Sequence, residues 1–141
     1  MASELKVDKF TGVTTAGSIL ITGEGNSTTT NLQQGLGKLW INMDTVGTIG
    51  INDSFNSASL TDTATGQYGI NFTNSMSNIN YSPSGISQWD ETDDSNEGQW
   101  LNISKRGSAI TTSALQISIT NTKDNANDAL RSCIQILGDL A

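Results

Sequence analysis

Residues 35–56 read GLGKLWINMDTVGTIGINDSFN, and they contain the clearest strand pattern in the chain. Leu39, Ile41 and Met43 alternate with other residues, which is the period of a β-strand with one buried face. A turn of small polar residues follows, and a second alternating run ends at Phe55. The stretch therefore predicts a β-hairpin, and none of its side chains is a typical catalytic group.

The same alternation recurs on the C-terminal side of this stretch. The predicted strands are residues 36–43, 48–55, 58–62, 67–73, 99–104, 113–120 and 131–137. Among the first four, strand starts lie about ten residues apart with turn-forming residues between them, as in an antiparallel meander of a sandwich or barrel. We therefore predict an all-β fold, an antiparallel β-sandwich of jelly-roll type.

Two domains are predicted. Residues 35–141 would form the β-sandwich knob, and residues 1–34 an N-terminal anchoring arm and linker, because the first segment has few large apolar residues. Within the arm, residues 5–10 (LKVDKF) are compatible with a short edge strand. Residues 26–35 (NSTTTNLQQG) are predicted to be an extended hydrophilic linker.

Composition and charge exclude several classes of protein. The chain has 141 residues, 35% of them apolar, and a net charge of −7, so neither nucleic acid nor an anionic membrane is an expected partner. It has no apolar run long enough for a membrane span, and its first ten residues carry charges where a secretory signal needs an apolar core. We expect synthesis in the host cytoplasm, with no membrane insertion.

The residues on which enzymes most often depend are scarce. The chain has no histidine, which excludes histidine-based triads and metal ligands, and its one cysteine excludes an intrachain disulfide. That cysteine, Cys133, lies in the apolar segment CIQIL and is predicted to be a small buried side chain. We expect no enzyme and no cofactor. A depolymerase that uses Asp90 or Asp94 is the enzymatic alternative.

An acidic stretch between Trp89 and Trp100 is the main candidate for a binding loop. It carries Asp90, Glu91, Asp93, Asp94 and Glu97. Oxygen-rich loops hold Ca²⁺, but an EF-hand loop needs glycine at its sixth position and a bidentate acid at its twelfth. Counted from Asp90, these positions hold Ser95 and Leu101. We therefore expect a solvated loop without metal, and a calcium site at Asp90 and Asp94 is the alternative.

Two segments resemble a known family of proteins. The opening SELKVDKFTG and the stretch from GLGKLW through DSFNSASLTDTATGQYGINF to MSNINYS resemble tail-fibre and related virion proteins of marine phages, including cyanophages. The closing IQILGDLA resembles the last strand of the same module. The resemblance covers about half of the chain, and its motifs contain no catalytic residue.

The resemblance implies a non-enzymatic virion protein built as a homotrimeric β-rich knob. The particle-anchoring residues would be Ser3, Glu4, Leu5, Lys6, Val7, Asp8, Lys9 and Phe10. The framework of the core or of the trimer seam would be Leu39, Trp40, Ile41, Phe55, Tyr68, Ile70 and Phe72. The receptor-facing loop would comprise Trp89, Asp90, Asp93, Asp94 and Trp100, because aromatic faces stack on sugars and dominate protein interfaces.

The expected function is a short fibre or knob that is anchored to the particle by its N-terminus and displayed for host attachment. The expected partners are further copies of the chain, other virion proteins of the tail or capsid, and a host surface glycan. The chain has no shaft or heptad repeat between the anchor and the knob, so a capsid decoration protein is the first alternative. A free carbohydrate-binding module is a further alternative.

Overall fold

The computed structural model describes residues 4–12, 19–22, 29–88, 99–104, 109–123 and 125–141, and the chain divides into two units, Met1–Leu36 and Gly37–Ala141. In the first unit, strand β1 (Leu20–Thr22) pairs with strand β2 (Thr29–Asn31), and helix α1 (Leu32–Gly35) follows. Within the described ranges, no helix is long and apolar enough to cross a membrane.

Two local expectations for this first unit are wrong. Residues 5–10 form no strand, and the predicted hydrophilic linker contains both β2 and α1. Helix α1 begins after Asn31 because the Asn31 side chain accepts a hydrogen bond from the Gln34 backbone N–H at 3.1 Å. Asparagine is a preferred helix cap, and the sequence pattern alone gave no apolar period to indicate so short a helix.

The second unit consists of two four-stranded antiparallel sheets, which confirms the predicted all-β sandwich. Its strands are β3 (Gly37–Asp44), β4 (Gly50–Phe55), β5 (Ser57–Ala64), β6 (Gln67–Phe72), β7 (Ser82–Gln88), β8 (Gln99–Ile103), β9 (Ala114–Asn121) and β10 (Arg131–Leu137). The first sheet has the order β4-β3-β10-β7, and the second has the order β5-β6-β9-β8. The hairpins β3–β4 and β5–β6 each stay within one sheet.

All seven predicted strands are present, and one further strand of the sandwich, β7, was not predicted. Strand β7 pairs only with β10, so it is an edge strand, and the positions that it turns toward the second sheet hold Pro83, Gly85 and Ser87. Its single large apolar residue, Ile86, faces outward. An edge position tolerates proline because one side of the strand needs no hydrogen-bond partner. The apolar alternation that marks the other strands is therefore missing here.

The expected meander is interrupted between β4 and β5, where the chain passes from one sheet to the other. Asn56 makes this crossing with a left-handed backbone, at φ 62°. Its side-chain amide donates to the backbone oxygens of Lys38 and Asn74, at 3.0 and 3.1 Å, and its oxygen accepts from the Asn74 N–H at 2.7 Å. Asparagine tolerates this backbone conformation better than most residues, and its amide satisfies polar groups at the corner.

The core lies between the two sheets and follows the predicted alternation. Its fully buried side chains come from both sheets and include Leu39, Ile41, Met43, Tyr68, Ile70, Leu115, Ile119 and Ile136. Cross-strand register places these residues on shared faces: Ile41 lies opposite Ile134 in the first sheet, and Ile70 lies opposite Leu115 in the second. This burial of apolar side chains supplies the main favourable free energy of folding.

A polar cluster connects the two sheets beside the segment that leads into β10. The Tyr68 hydroxyl donates to the Asp128 carboxylate, which also accepts from the Gly66 N–H at 2.9 Å. The next residue, Ala129, donates its N–H to the Thr45 hydroxyl at 2.7 Å, and its carbonyl accepts from the Thr45 N–H at 3.1 Å. Because Thr45 follows β3 and Tyr68 belongs to β6, residues 128–129 connect both sheets.

Tyr81, like Tyr68, has a buried ring and a hydrogen-bonded hydroxyl, and it lies near Phe72, the last residue of β6. Its ring packs edge-on against Phe72 with centroids 5.9 Å apart, and its hydroxyl lies 3.0 Å from the Thr111 carbonyl oxygen and 3.1 Å from that of Ala114. Burial raises the pKa of Tyr81 to about 12. For Tyr68, burial and the hydrogen bond to Asp128 also raise the pKa.

Gly66 offers a test of the polar cluster. It has φ +65°, and a Cβ there would lie 2.5 Å from the Ile119 oxygen and 2.8 Å from the Asn127 nitrogen. Gly66→Ala should lower the free energy of unfolding in urea by roughly 3 kcal/mol or more, because backbone strain and overpacking add. Gly47→Ala is the matched control, since Gly47 has φ +68° but open space around it, and should cost about 1 kcal/mol. Equal losses in the two variants would contradict the packing assigned to Gly66.

The two tyrosines are the only ones in the chain, so their ionisation can be followed directly by ultraviolet absorbance. A tyrosine whose pKa is raised on folding stabilises the fold below its unfolded pKa of about 10, and this contribution is lost as the pH rises through the folded value. The native protein should show almost no tyrosinate at pH 10, whereas the urea-unfolded chain should be about half ionised there. Tyr81→Phe should remove the step near pH 12. A native titration centred near pH 10 would show that the hydroxyls are not held as described.

Candidate functional site

The seven predicted framework residues divide into two groups. Five are buried between the sheets: Leu39, Ile41, Tyr68, Ile70 and Phe72. Trp40 and Phe55 instead lie on the outer face of the first sheet, with 42% and 50% of their surfaces exposed. They are therefore not core residues, and of the two roles that the sequence allowed them, only the subunit-interface role remains open.

Trp40 and Phe55 are direct neighbours across the β3–β4 pair, so their rings project from the same face of the sheet. Ile86 of edge strand β7 projects from this face with 74% of its surface exposed. Between them, β10 contributes Gln135 opposite Trp40 and Cys133 opposite Ile86. We refer to the surface formed by Trp40, Phe55 and Ile86 as the aromatic face. The predicted burial of Cys133 is wrong in detail, because that side chain is only partly buried there.

The predicted anchoring segment is exposed wherever it is described, which is from Glu4 onward; Ser3 lies outside the described residues. Leu5, Val7 and Phe10 have 75%, 46% and 62% of their surfaces exposed. The ion pair between Glu4 and Lys6, at 3.5 Å, lies in water, where such pairs add little to stability. The described part of the segment thus presents apolar side chains to solvent.

Most of the predicted receptor-facing loop lies outside the described residues. This part comprises Trp89, Asp90, Asp93 and Asp94, including the alternative calcium ligands. Trp100 is described: it belongs to β8, lies opposite Thr120 of β9, and has 56% of its surface exposed. It therefore projects from the outer face of the second sheet.

This outer face of the second sheet is a surface that the sequence analysis missed. Its cross-strand rows are Trp100–Thr120, Asn102–Ser118–Gln67, Gln116–Gly69–Thr61 and Ala114–Asn71–Ser59. Every outward-facing position in these rows is neutral, and most carry an amide or a hydroxyl. We refer to this surface as the neutral face. The sequence places Gln67, Gly69 and Asn71 on the face opposite the predicted core residues Tyr68, Ile70 and Phe72, but the pairing of strands that joins them to β5, β8 and β9 cannot be seen in the sequence.

Hydrogen bonds order part of the neutral face and leave other groups directed to solvent. The Asn71 amide donates to the hydroxyls of Ser59 and Thr61, at 3.0 and 3.1 Å. Gln67 and Gln116 use backbone groups in their described hydrogen bonds, and both side chains are partly exposed. These amides can therefore donate to and accept from a ligand.

A small cavity of about 120 Å³ opens between the edge strands β7 and β8. Its lining is mainly apolar and includes Gly85, Leu101, Ile103 and Ile134. Gly85 permits this close approach of strands, because a Cβ there would lie 2.6 Å from the Leu101 side chain. The cavity is continuous with the core packing and has no titratable residue in its lining.

The chain matches no family model, and no curated protein or solved structure is significantly similar to it. The candidate functional surfaces are therefore the aromatic face, the neutral face and the exposed N-terminal segment.

Proposed function

We propose that the chain is a non-enzymatic structural protein of a phage particle: a short fibre knob that trimerises, is anchored by its N-terminal residues and is displayed for host attachment. The observation that supports association between copies is the exposed aromatic face. Trp40 and Phe55 form a cross-strand pair on the surface instead of filling the core, and this placement leaves them available to a neighbouring copy. Their positions come from the segment that resembles the phage proteins.

The energetic argument for association is the hydrophobic effect. A buried Trp or Phe removes roughly 150–250 Å² from water, at about 25 cal/mol per Å². Tryptophan and phenylalanine are also enriched in protein interfaces. The aromatic face also carries Asp53, which lies opposite Asn42 and next to the Trp40–Phe55 pair. Because burial of an unpaired carboxylate is costly, an interface between copies would leave Asp53 at its solvated rim.

The N-terminal segment supports the anchoring role. Three apolar side chains within residues 5–10 are exposed and belong to no strand, so they contribute little to the stability of the free chain. Docking on another virion protein would bury them, and an extended segment can add backbone hydrogen bonds to a sheet edge of its partner. The same anchor suits a knob on the tail or a decoration protein on the capsid, which remains the alternative.

Trimerisation is tested by mass. Light scattering at micromolar concentration should give three times the 14.9 kDa of one chain. Trp40→Glu should reduce this to one chain, because a carboxylate cannot be buried in the apolar seam without a partner. Trp100→Ala, on the opposite outer face, is the matched control and should stay trimeric. A monomeric wild-type protein would rule out the trimer, and a trimeric Trp40→Glu variant would place the seam elsewhere.

Anchoring is tested on particles. Immunogold labelling with an antibody to residues 83–100 should decorate intact phage, on the tail for a fibre knob and regularly over the head for a decoration protein. Protein lacking residues 1–12 should keep the circular dichroism of the knob but be absent from purified particles. Co-purification of the shortened protein at the wild-type level would contradict the anchor, and unlabelled particles would contradict a virion role.

A further inference from the structure

The two outer faces of the sandwich differ in chemistry, and the neutral face has no role in the assembly proposed above. The chain carries a net charge of −7, yet every outward-facing position in the four rows of the neutral face is uncharged. The face is also too polar to be buried cheaply against an apolar partner.

Its polar groups suit a ligand rich in hydroxyls. Side-chain amides offer both donors and acceptors, as do serine and threonine hydroxyls, so they match sugar hydroxyls, which also donate and accept. Gln67 and Gln116 flank Gly69 and direct their side chains to solvent. The Asn71 amide is already oriented by Ser59 and Thr61, which reduces the entropy lost on binding.

Gly69 provides an independent indication of a ligand. It lies in the interior of β6, where glycine weakens a strand and needs a reason, such as a bulge or the close approach of a ligand or another backbone. The register is regular at Gly69, its φ is not positive, and the nearest atom to a built Cβ is the Thr61 Cβ at 3.4 Å. No local constraint requires glycine there. Gly69 is itself buried by its neighbours, and no side chain projects from this position in the middle of the face.

Trp100 completes the surface at the β8 edge. Its ring is more than half exposed and lies on the same face as the amides. The C–H face of a sugar ring stacks on an aromatic face, while its hydroxyls bond to neighbouring polar groups.

We propose that the neutral face binds a neutral glycan, with Trp100 stacking on one sugar ring and the amides around Gly69 bonding hydroxyls of other rings of the same oligosaccharide, two strands away. The biological meaning of this site rests on the proposed function, since a displayed knob needs a receptor. The binding itself is a property of the isolated chain. The described residues of the four rows include no cationic side chain, so we expect a neutral glycan to be preferred to an acidic one.

The test uses the full-length protein on an array of neutral and acidic oligosaccharides, followed by calorimetry with the best neutral hexasaccharide. Trp100→Ala should weaken binding about tenfold or more, through loss of stacking. Ile79→Ala is the control, because Ile79 is exposed between β6 and β7 and belongs to neither outer face, and it should leave the affinity unchanged. Gln116→Glu, an isosteric change that removes a donor and adds a charge, should also weaken binding, whereas Gln34→Glu, at an exposed position of helix α1, should not.

Four outcomes would overturn the proposal: no neutral glycan bound, only acidic glycans bound, equal losses in Trp100→Ala and Ile79→Ala, or unchanged affinity in Gln116→Glu. Should Trp100→Ala fail to fold, the Gln116→Glu and Gln34→Glu pair decides alone. The outcome is separable from the virion proposal. Glycan binding without particle labelling would favour a free carbohydrate-binding module, and labelling without glycan binding would leave the virion role intact.

Discussion

The hydrogen bonds of Asp128 and Ala129 are the constraint on which the second unit depends most. Apolar burial explains why two sheets associate, but it does not specify how they are held in register, since many arrangements bury similar area. Residues 128–129 bond to Thr45 after β3 and to Tyr68 in β6, so they connect one strand of each sheet. They also lead directly into β10, one of the two central strands of the first sheet. Because these hydrogen bonds hold residues 128–129 in place, they also position the start of β10, the strand that pairs with both β3 and β7.

This polar cluster is stabilising because it is nearly complete. Asp128 accepts from a phenol and a backbone N–H, and its own carbonyl accepts from the Gln99 amide at 3.0 Å. Thr45 exchanges hydrogen bonds with Ala129 through both its backbone and its hydroxyl. Buried polar groups favour one fold only when their partners are present, because an unpaired group costs its full desolvation energy. Gly66 belongs to the same cluster, since only a residue without a Cβ fits between Ile119 and Asn127.

The sequence predicted the features that depend on local pattern. Seven of the eight sandwich strands were predicted, and the inner residues of β3, β6, β9 and β10 supply most of the core. It could not predict β7, whose inner positions hold proline, glycine and serine, or the crossing at Asn56, which depends on a left-handed residue and on Asn74 and Lys38 across the corner. Alternation says which residues share a face, but not which face is buried when both sides hold large residues. The sequence therefore leaves open whether Trp40 belongs to the core or to a subunit interface. In the structure, Trp40 and its cross-strand neighbour Phe55 both lie at the surface.

The candidate sites were harder to predict because both are formed by residues that share a sheet face, not by a motif in the chain. The neutral face joins β5, β6, β8 and β9, whose outward residues are unremarkable singly. Its separation from the aromatic face has a physical consequence under the proposed trimer. Assembly would use one outer face and leave three copies of the other, so weak binding at each could combine into avidity some 10²–10⁴ times higher, in order of magnitude. The proposed glycan site therefore need not bind tightly in a single copy, which agrees with an exposed face that offers one tryptophan and a few amides.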